Sequence, residues 1–340
     1  MTGGLDDARS SLMDASRIAK EASHLLPLVN RVLTKYSFLT REVEHLATHS
    51  NVMYRVITES GERLVLRVGN PYANTRSNIE FEVAWIDTLN RETSIDLATP
   101  IRTAGGGLIV DEFDAELGKE RPCVLFTWVP GAPLGDGAGT FGHRLWGQMS
   151  ASLSKHGKSW EPPLAGQMRS WDRIFYYGAE TDPVIINDPL YGHLFEAPRR
   201  GLLKKAGKIA ARVIKESWAD GGAQVVHGDL HEWNVHVAGS RLHAFDFEDV
   251  MIALPAQDVA ISLYHSRDSD QRDVIRTAFR RGYEEVAEWP IADQSQLDGF
   301  YAARQIMLMN YAARTLPIGE AAEFLDQVTP WLQTFARRYS

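Results

Sequence analysis

Between His227 and Asn234 the chain reads His-Gly-Asp-Leu-His-Glu-Trp-Asn, which satisfies the spacing H-x-D-L-x-x-x-N at its four specified positions. A short β-like run, Arg241 to Phe245, then leads into Asp246-Phe247-Glu248. The chemistry that asks for such a set is phosphoryl transfer. It needs one carboxylate to orient an acceptor hydroxyl, and oxygen ligands to hold Mg²⁺ against phosphates. Asp229 suits the first task. Asn234 and Asp246 suit the second, because hard cations prefer oxygen, and a neutral amide beside one carboxylate leaves coordination sites for phosphate and water. The plainer alternative makes Asp229 and Asn234 turn formers between strands, common work for Asx residues.

The elements that must position these groups follow from the periodicity. Leu5, Ala8, Leu12, Ala15, Ala19 and Ala22 recur at helical spacing, so residues 5–25 are expected as a weakly apolar amphipathic helix ending before Pro27. From Arg41 to Val68 the pattern turns β-like, with Ser60-Gly61 placed for a hairpin between 52–58 and 63–68. Residues 76–90 carry Ile79, Val83, Ile86 and Leu89 on one helical face, and strands are expected near 108–113 and 122–129. Pro130, Gly131, Pro133, Gly135, Gly137 and Gly139 then break the pattern, and the lobe boundary is placed there. Beyond it helices are expected at about 141–156, 199–219, 255–265, 270–288 and 295–312, with short strands at 224–226, 235–237 and 241–245.

Composition bounds the function. The chain has 340 residues, 44% of them hydrophobic, and a net charge of −8, so it offers no electrostatic footprint for nucleic acid or an anionic membrane. The longest apolar stretch, around Cys123 to Val129, is far short of a membrane span, and the acidic amino terminus argues against a secretory signal. The single cysteine, Cys123, forms no internal disulfide and is expected buried in a strand. A cytoplasmic protein is expected.

Three nucleotide-type signals fail on context. Gly105-Gly106-Gly107 precedes a strand rather than a helix and reads as a hairpin turn. Gly137, Gly139 and Gly142 fit G-x-G-x-x-G, but Pro130 and Pro133 separate them from the preceding strand, so they read as a flexible connector. Gly157-Lys158-Ser159 lacks the first glycine of a phosphate loop, Ser152 standing there. His227 and His231 sit at i, i+4, but Gly228 and the flanking β-like residues argue against the helix a zinc pair would need.

The sequence resembles the aminoglycoside phosphotransferase-like enzymes, a family that includes choline, homoserine and stress-response kinases. The resemblance runs from about residue 35 to 330 and is densest in HGDLHEWNVHV, AFDFEDV and LPAQDVAISLY. It implies an α+β, bilobal, protein-kinase-like fold: a helical extension over 1–34, an antiparallel-sheet N-lobe with one helix over 35–130, and a mainly helical C-lobe over 131–340. It implies ATP and Mg²⁺ as cofactors and a small-molecule hydroxyl as acceptor. Asp258 resembles the family's buried aspartate that braces the catalytic loop. EVAWI, starting at Glu82, resembles the helix with the ion-pair glutamate, and CVLFTWVPG resembles the interlobe hinge, so adenine is expected at backbone groups near Phe126 to Trp128.

Departures from the pattern matter too. Gly228 replaces the arginine of H-R-D, which makes switching by activation-loop phosphorylation unexpected and favours a small-molecule acceptor over a protein one. Glu248 replaces the glycine of D-F-G, and Glu248 with Asp249 either adds a metal or substrate contact or faces solvent. Arg67 stands where a strand lysine would grip phosphates; it keeps the charge but prefers bidentate geometry. It is expected to bind phosphate and pair with Glu82, with Glu80 as the other candidate, or else to be a solvated strand residue. The turn His49-Ser50-Asn51 holds no glycine, and Ser50 and Asn51 either cover the phosphates or form an ordinary hairpin. Trp160, Trp171, Tyr176, Tyr177, Tyr191 and Trp218 are either core or an acceptor wall. The net charge tolerates a cationic acceptor. The rival readings are a stress-response-type protein Ser/Thr kinase and a nucleotide-binding pseudokinase scaffold.

Overall fold

A computed structural model describes residues 21–163, 168–179 and 182–340 of the chain. They divide into two compact units, one formed by the described residues up to Thr88 together with Ala98–Val129, the other by Leu89–Leu97 and Pro130–Ser340.

The first unit is built on strands β1 (Thr40–Thr48), β2 (Val52–Thr58), β3 (Arg63–Val68), β5 (Val110–Asp114) and β6 (Lys119–Thr127), in the order β1-β2-β3-β6-β5 with every pair antiparallel. Alternation in β2 sends Val52, Tyr54 and Val56 inward, as a half-buried strand requires. The expected hairpin forms at Ser60–Gly61, and Cys123 lies buried in β6. Helix α2 (Arg76–Glu92) buries Ile79, Phe81, Val83, Trp85 and Ile86.

Two corrections concern helix boundaries expected from the sequence. Residues 5–20 of the expected first helix lie outside the described residues. Helix α1 is described over residues 21–33 and runs through Pro27 rather than ending before it. A proline inside a helix forfeits one backbone hydrogen bond. Here Leu25, Leu28, Val29, Val32 and Leu33 join the core of the β-sheet, and Tyr54 donates its hydroxyl to the Ala22 carbonyl at 2.6 Å. At about 1.5–3 kcal/mol per buried aliphatic side chain, that burial outweighs the missing bond. Likewise Gly139 and Gly142 are not part of a flexible connector. Gly139 opens α3 (Gly139–Ser159) and Gly142 is buried within it.

In the second unit, β4 (Asp96–Leu97), β10 (Arg241–Ala244), β9 (Val235–Ala238) and β7 (Ala132–Pro133) form one sheet, and β8 (Gln224–Val226) pairs with β11 (Met251–Ala253). Helices α4 (Ala197–Ala219), α5 (Pro255–Leu263), α6 (Arg272–Glu284) and α7 (Gln294–Thr315) occupy the regions expected. A further helix, α8 (Ile318–Arg338), lies beyond the last one expected from the sequence and carries Pro330 in its interior. Pro317 stands at its N-cap, and Leu325, Val328, Leu332 and Phe335 bury one face. Helices α3 and α6 meet at glycines: a Cβ on Gly147 would lie 1.9 Å from the Phe279 carbonyl oxygen, and one on Gly282 would lie 1.8 Å from that of Arg144.

Candidate active site

The two short strand pairs of the second unit frame the segment His227–Asn234. Antiparallel pairing of β9 with β10 sets Val235 opposite Ala244, and the Phe245 N–H donates to the Asn234 carbonyl at 3.1 Å. Asn234 and Asp246 therefore flank the same end of one hairpin. Pairing of β8 with β11 sets Val226 opposite Met251 and fixes the other end of the loop.

Gly228 turns the chain at φ +82°, and its N–H donates to Asp258 Oδ1 at 2.9 Å. A side chain there would meet the Asp249 carbonyl oxygen at 2.1 Å. Only glycine fits both conditions. Asp258, on α5, is buried, and burial pushes its carboxyl up to about 6 although the Gly228 N–H favours the charged form. The buried His227 accepts the Asp229 N–H on Nδ1 at 3.2 Å, so its Nε2, 3.2 Å from the Phe245 carbonyl, is the donor. Burial lowers this imidazole to about 4, keeping it neutral. These bonds fix the loop backbone before any ligand is considered.

Asp229 is held from both sides. Its Oδ1 accepts from Arg304 Nη2 at 2.5 Å, while Oδ2 lies 3.2 Å from Asn234 Nδ2 and 3.3 Å from His231 Nε2. Burial alone would raise this carboxyl, but Arg304 and His231 outweigh it and hold Asp229 well below the usual carboxylate range. Asn234 spends its amide nitrogen on Asp229, donating also to the main-chain carbonyl at 2.9 Å, which leaves the amide oxygen as its ligand atom. Asp246 has φ +62°, the sole positive φ outside glycine among the described residues. Such a conformation costs free energy and is kept where a side chain must be aimed. An amide oxygen and a carboxylate at one end of a hairpin fit a hard divalent cation that takes its remaining ligands from phosphate and water.

Asp249 does not face solvent. Its Oδ1 accepts the Tyr177 hydroxyl at 2.6 Å and Arg169 Nη1 at 3.2 Å, and Arg169 also donates to the Glu248 carbonyl. Of the aromatic residues that read as core or acceptor wall, Trp171 and Tyr176 are buried core, and Trp218 donates to Gln257 Oε1 at 3.1 Å. Tyr177 reaches the site network through its hydrogen bond to Asp249. Sequence reasoning missed Arg304, which sits on α7 far along the chain and belongs to no motif. It also missed the rings around His231: His265 at 5.5 Å, and Trp233 at 4.8 Å from His265.

The first unit holds the other candidates. Arg67 and Glu82 form a bidentate buried pair, Nη1 to Oε1 at 2.8 Å and Nη2 to Oε2 at 2.5 Å. Arg67 is thus not a solvated strand residue, and Glu80 instead accepts from exposed Arg76 at 3.0 Å. The Arg67 guanidinium lies 5.2 Å from the Phe126 ring centre, and Arg63 lies 5.2 Å from that of Trp128. In the β1–β2 turn, Asn51 is buried with Oδ1 accepting the Asn70 N–H at 3.0 Å, and Ser50 is half-buried.

A model of the phosphotransferase enzyme family matches residues 43–294. An uncharacterized protein of Synechocystis sp. is 26% identical over 258 residues, covering 75% of this chain and 69% of that one. Among solved structures, the microcompartment-associated aminopropanol kinase is 21% identical with a TM-score of 0.76, over 92% of this chain and 97% of that one. The amicoumacin kinase hAmiN, solved with AMP-PNP and Ca²⁺, is 17% identical with a TM-score of 0.70, over 92% of each chain. A spectinomycin phosphotransferase, in complex with ADP and spectinomycin, is 13% identical with a TM-score of 0.65, over 92% of this chain and 97% of that one. At these identities the structures share the fold, a mixed α+β architecture with an antiparallel sheet followed by a helical region.

Proposed function

The chain belongs to the phosphotransferase enzyme family, and from that premise we propose that it moves the γ-phosphoryl group of ATP to a hydroxyl of a small molecule. The observation that carries the proposal is the clustering of Asp229, Asn234 and Asp246 around one hairpin end, with Asp229 fixed by three side chains. The nucleotide-bearing kinases of the same fold support ATP as donor.

In the proposed reaction the acceptor oxygen forms a bond to the γ-phosphorus as the bond from that phosphorus to the β–γ bridging oxygen breaks, and the electron pair leaves with ADP. The acceptor proton passes to Asp229 and then to solvent. Because Arg304 and His231 hold Asp229 in its charged form, it is a weak base, and its first role is to accept a hydrogen bond from the hydroxyl and orient it. Proton transfer then comes late, once bond formation to phosphorus has made the alcohol strongly acidic. Asn234 and Asp246 would hold Mg²⁺, which when bound neutralises charge on the phosphates. Arg67, positioned by Glu82, supplies the fixed charge for the nucleotide phosphates, with Ser50 and Asn51 in the adjoining turn and Phe126 to Trp128 meeting the base.

The test is ATP consumption with mass-spectrometric detection of phosphate esters across a panel of alcohols, wild type against Asp229→Asn. Ester formation that falls at least about a hundredfold in the variant, while nucleotide binding persists, supports the proposal. Equal rates in the two proteins refute it.

A further inference from the structure

In the proposed reaction Arg304 does no more than fix Asp229. A guanidinium against the acceptor-orienting carboxylate weakens that carboxylate as a base, so its presence works against the simplest form of the chemistry. Its surroundings suggest another purpose. The side chain is only 7% exposed; Nη2 donates to Asp229 Oδ1, and the guanidinium lies 5.7 Å from the Tyr264 ring centre. Nε is buried with no hydrogen-bond partner among the described residues. A buried cation with unspent donors is unfavourable unless an anion or acceptor is brought to it.

The neighbouring charges narrow what that anion belongs to. Asp229 is occupied by Arg304, Asn234 and His231, and Asp249 by Arg169 and Tyr177. An ammonium group approaching Asp229 would meet the like charge of Arg304, whereas a hydroxyl meets no such repulsion. His265, lowered to about 3 by burial and then by Arg304, adds no charge of its own beside the guanidinium. Beside it Trp233 is 45% exposed and presents an apolar face next to the loop that carries Asp229.

We propose that Arg304 makes the acceptor site selective for a hydroxy acid, an alcohol whose carboxylate lies within a few bonds of the reacting hydroxyl. The hydroxyl donates to Asp229 while the carboxylate is drawn to the guanidinium beside it, a two-point grip that fixes which oxygen faces the phosphoryl donor. Any apolar remainder of the acceptor rests toward Trp233. Arg304 is a specificity-determining residue in this account. The inference rests on the phosphotransferase reading and names the class of its acceptor.

Matched probes test it: 3-hydroxypropanoate, 3-hydroxypropanamide and 3-aminopropan-1-ol, with their 3-phenyl analogues, as acceptors in the presence of Mg-ATP. Binding of each is measured calorimetrically alongside a nonhydrolysable ATP analogue. The carboxylate member is expected to exceed the amide and the amine in kcat/KM by roughly tenfold or more in at least one series. Because Arg304 also holds Asp229, Arg304→Gln should lower kcat for every acceptor, and in addition it should raise KM for the carboxylate alone and so remove its advantage, which Arg304→Lys should partly restore. A preference for the amine or amide, no binding of either carboxylate, or a carboxylate KM that rises no more than those of the amide and amine in Arg304→Gln would each overturn the inference. If Arg304→Gln fails to fold, the wild-type ranking and Arg304→Lys decide. Wild-type protein that binds and slowly hydrolyses Mg-ATP but ignores carboxylates defeats this inference alone. Protein that neither binds nor consumes Mg-ATP defeats the functional reading beneath it.

Discussion

The main-chain N–H of Gly228 donates to the buried carboxylate of Asp258 at 2.9 Å, tying the loop that carries Asp229 to helix α5. The bond exists because Gly228 adopts φ +82° against the Asp249 carbonyl. Gly228→Ala forces a Cβ to 2.1 Å from that oxygen. We expect a loss of about 3 kcal/mol in denaturant-measured stability, combining left-handed strain with the clash. A variant as stable as wild type would show that the loop can relax freely.

Asp258 also sets a pH dependence. Its folded carboxyl is raised by burial from 3.8 to about 6, so the native state binds that proton more tightly than the unfolded chain. The stability this supplies is present below about pH 4 and is lost as pH rises through 6. Asp258→Asn keeps an acceptor for the Gly228 N–H and removes the titration. Relative to wild type, the variant should gain about 3 kcal/mol between pH 4 and pH 7, at about 1.4 kcal/mol per unit. His227, lowered to about 4 by burial, titrates in the opposite sense but does so in both proteins and cancels in the difference. Denaturation curves at four pH values check this, and a pH-independent difference would contradict it.

Arg67 and Glu82 separate folding from nucleotide binding. Glu82 is 1% exposed, so Arg67→Ala leaves a buried charge uncompensated and should cost about 3–5 kcal/mol. Replacing both by apolar residues, Arg67→Met with Glu82→Leu, should recover most of that stability. Nucleotide affinity should stay lost in the double variant if Arg67 supplies the charge proposed to meet the phosphates. Recovered affinity in a stable double variant would remove Arg67 from the nucleotide site.

Asp246 holds φ +62°, which aspartate tolerates better than alanine, so Asp246→Ala should cost about 1 kcal/mol of stability and still fold. Turnover should fall at least about a thousandfold, the scale of several kcal/mol of lost charge stabilisation. A folded variant with full turnover would show that its backbone strain serves something else.

Much of this was legible in one dimension. The Ser60–Gly61 hairpin, α2 and the His227–Asn234 loop are local patterns, in which period, turn residues and fixed spacing act within a few neighbours. Gly228 and Asp258 lay in quoted motifs, and the resemblance implied that Asp258 braces the loop; the hydrogen bond to Gly228 came only with the structure. Arg304 was invisible because a single arginine on α7 has no local signature, and its meaning comes from the tertiary contact with Asp229. The helix through Pro27 and α8 around Pro330 were hidden for the complementary reason: burial of an apolar face overrode residues that break isolated helices.

The most direct measurement is a crystal structure with Mg²⁺ and a nonhydrolysable ATP analogue. The account predicts the metal at about 2.1 Å from both Asn234 Oδ1 and an Asp246 carboxylate oxygen, with Asp229 outside the coordination shell. A nucleotide-bound metal held by other side chains, with Asn234 and Asp246 turned away from it, would contradict the account.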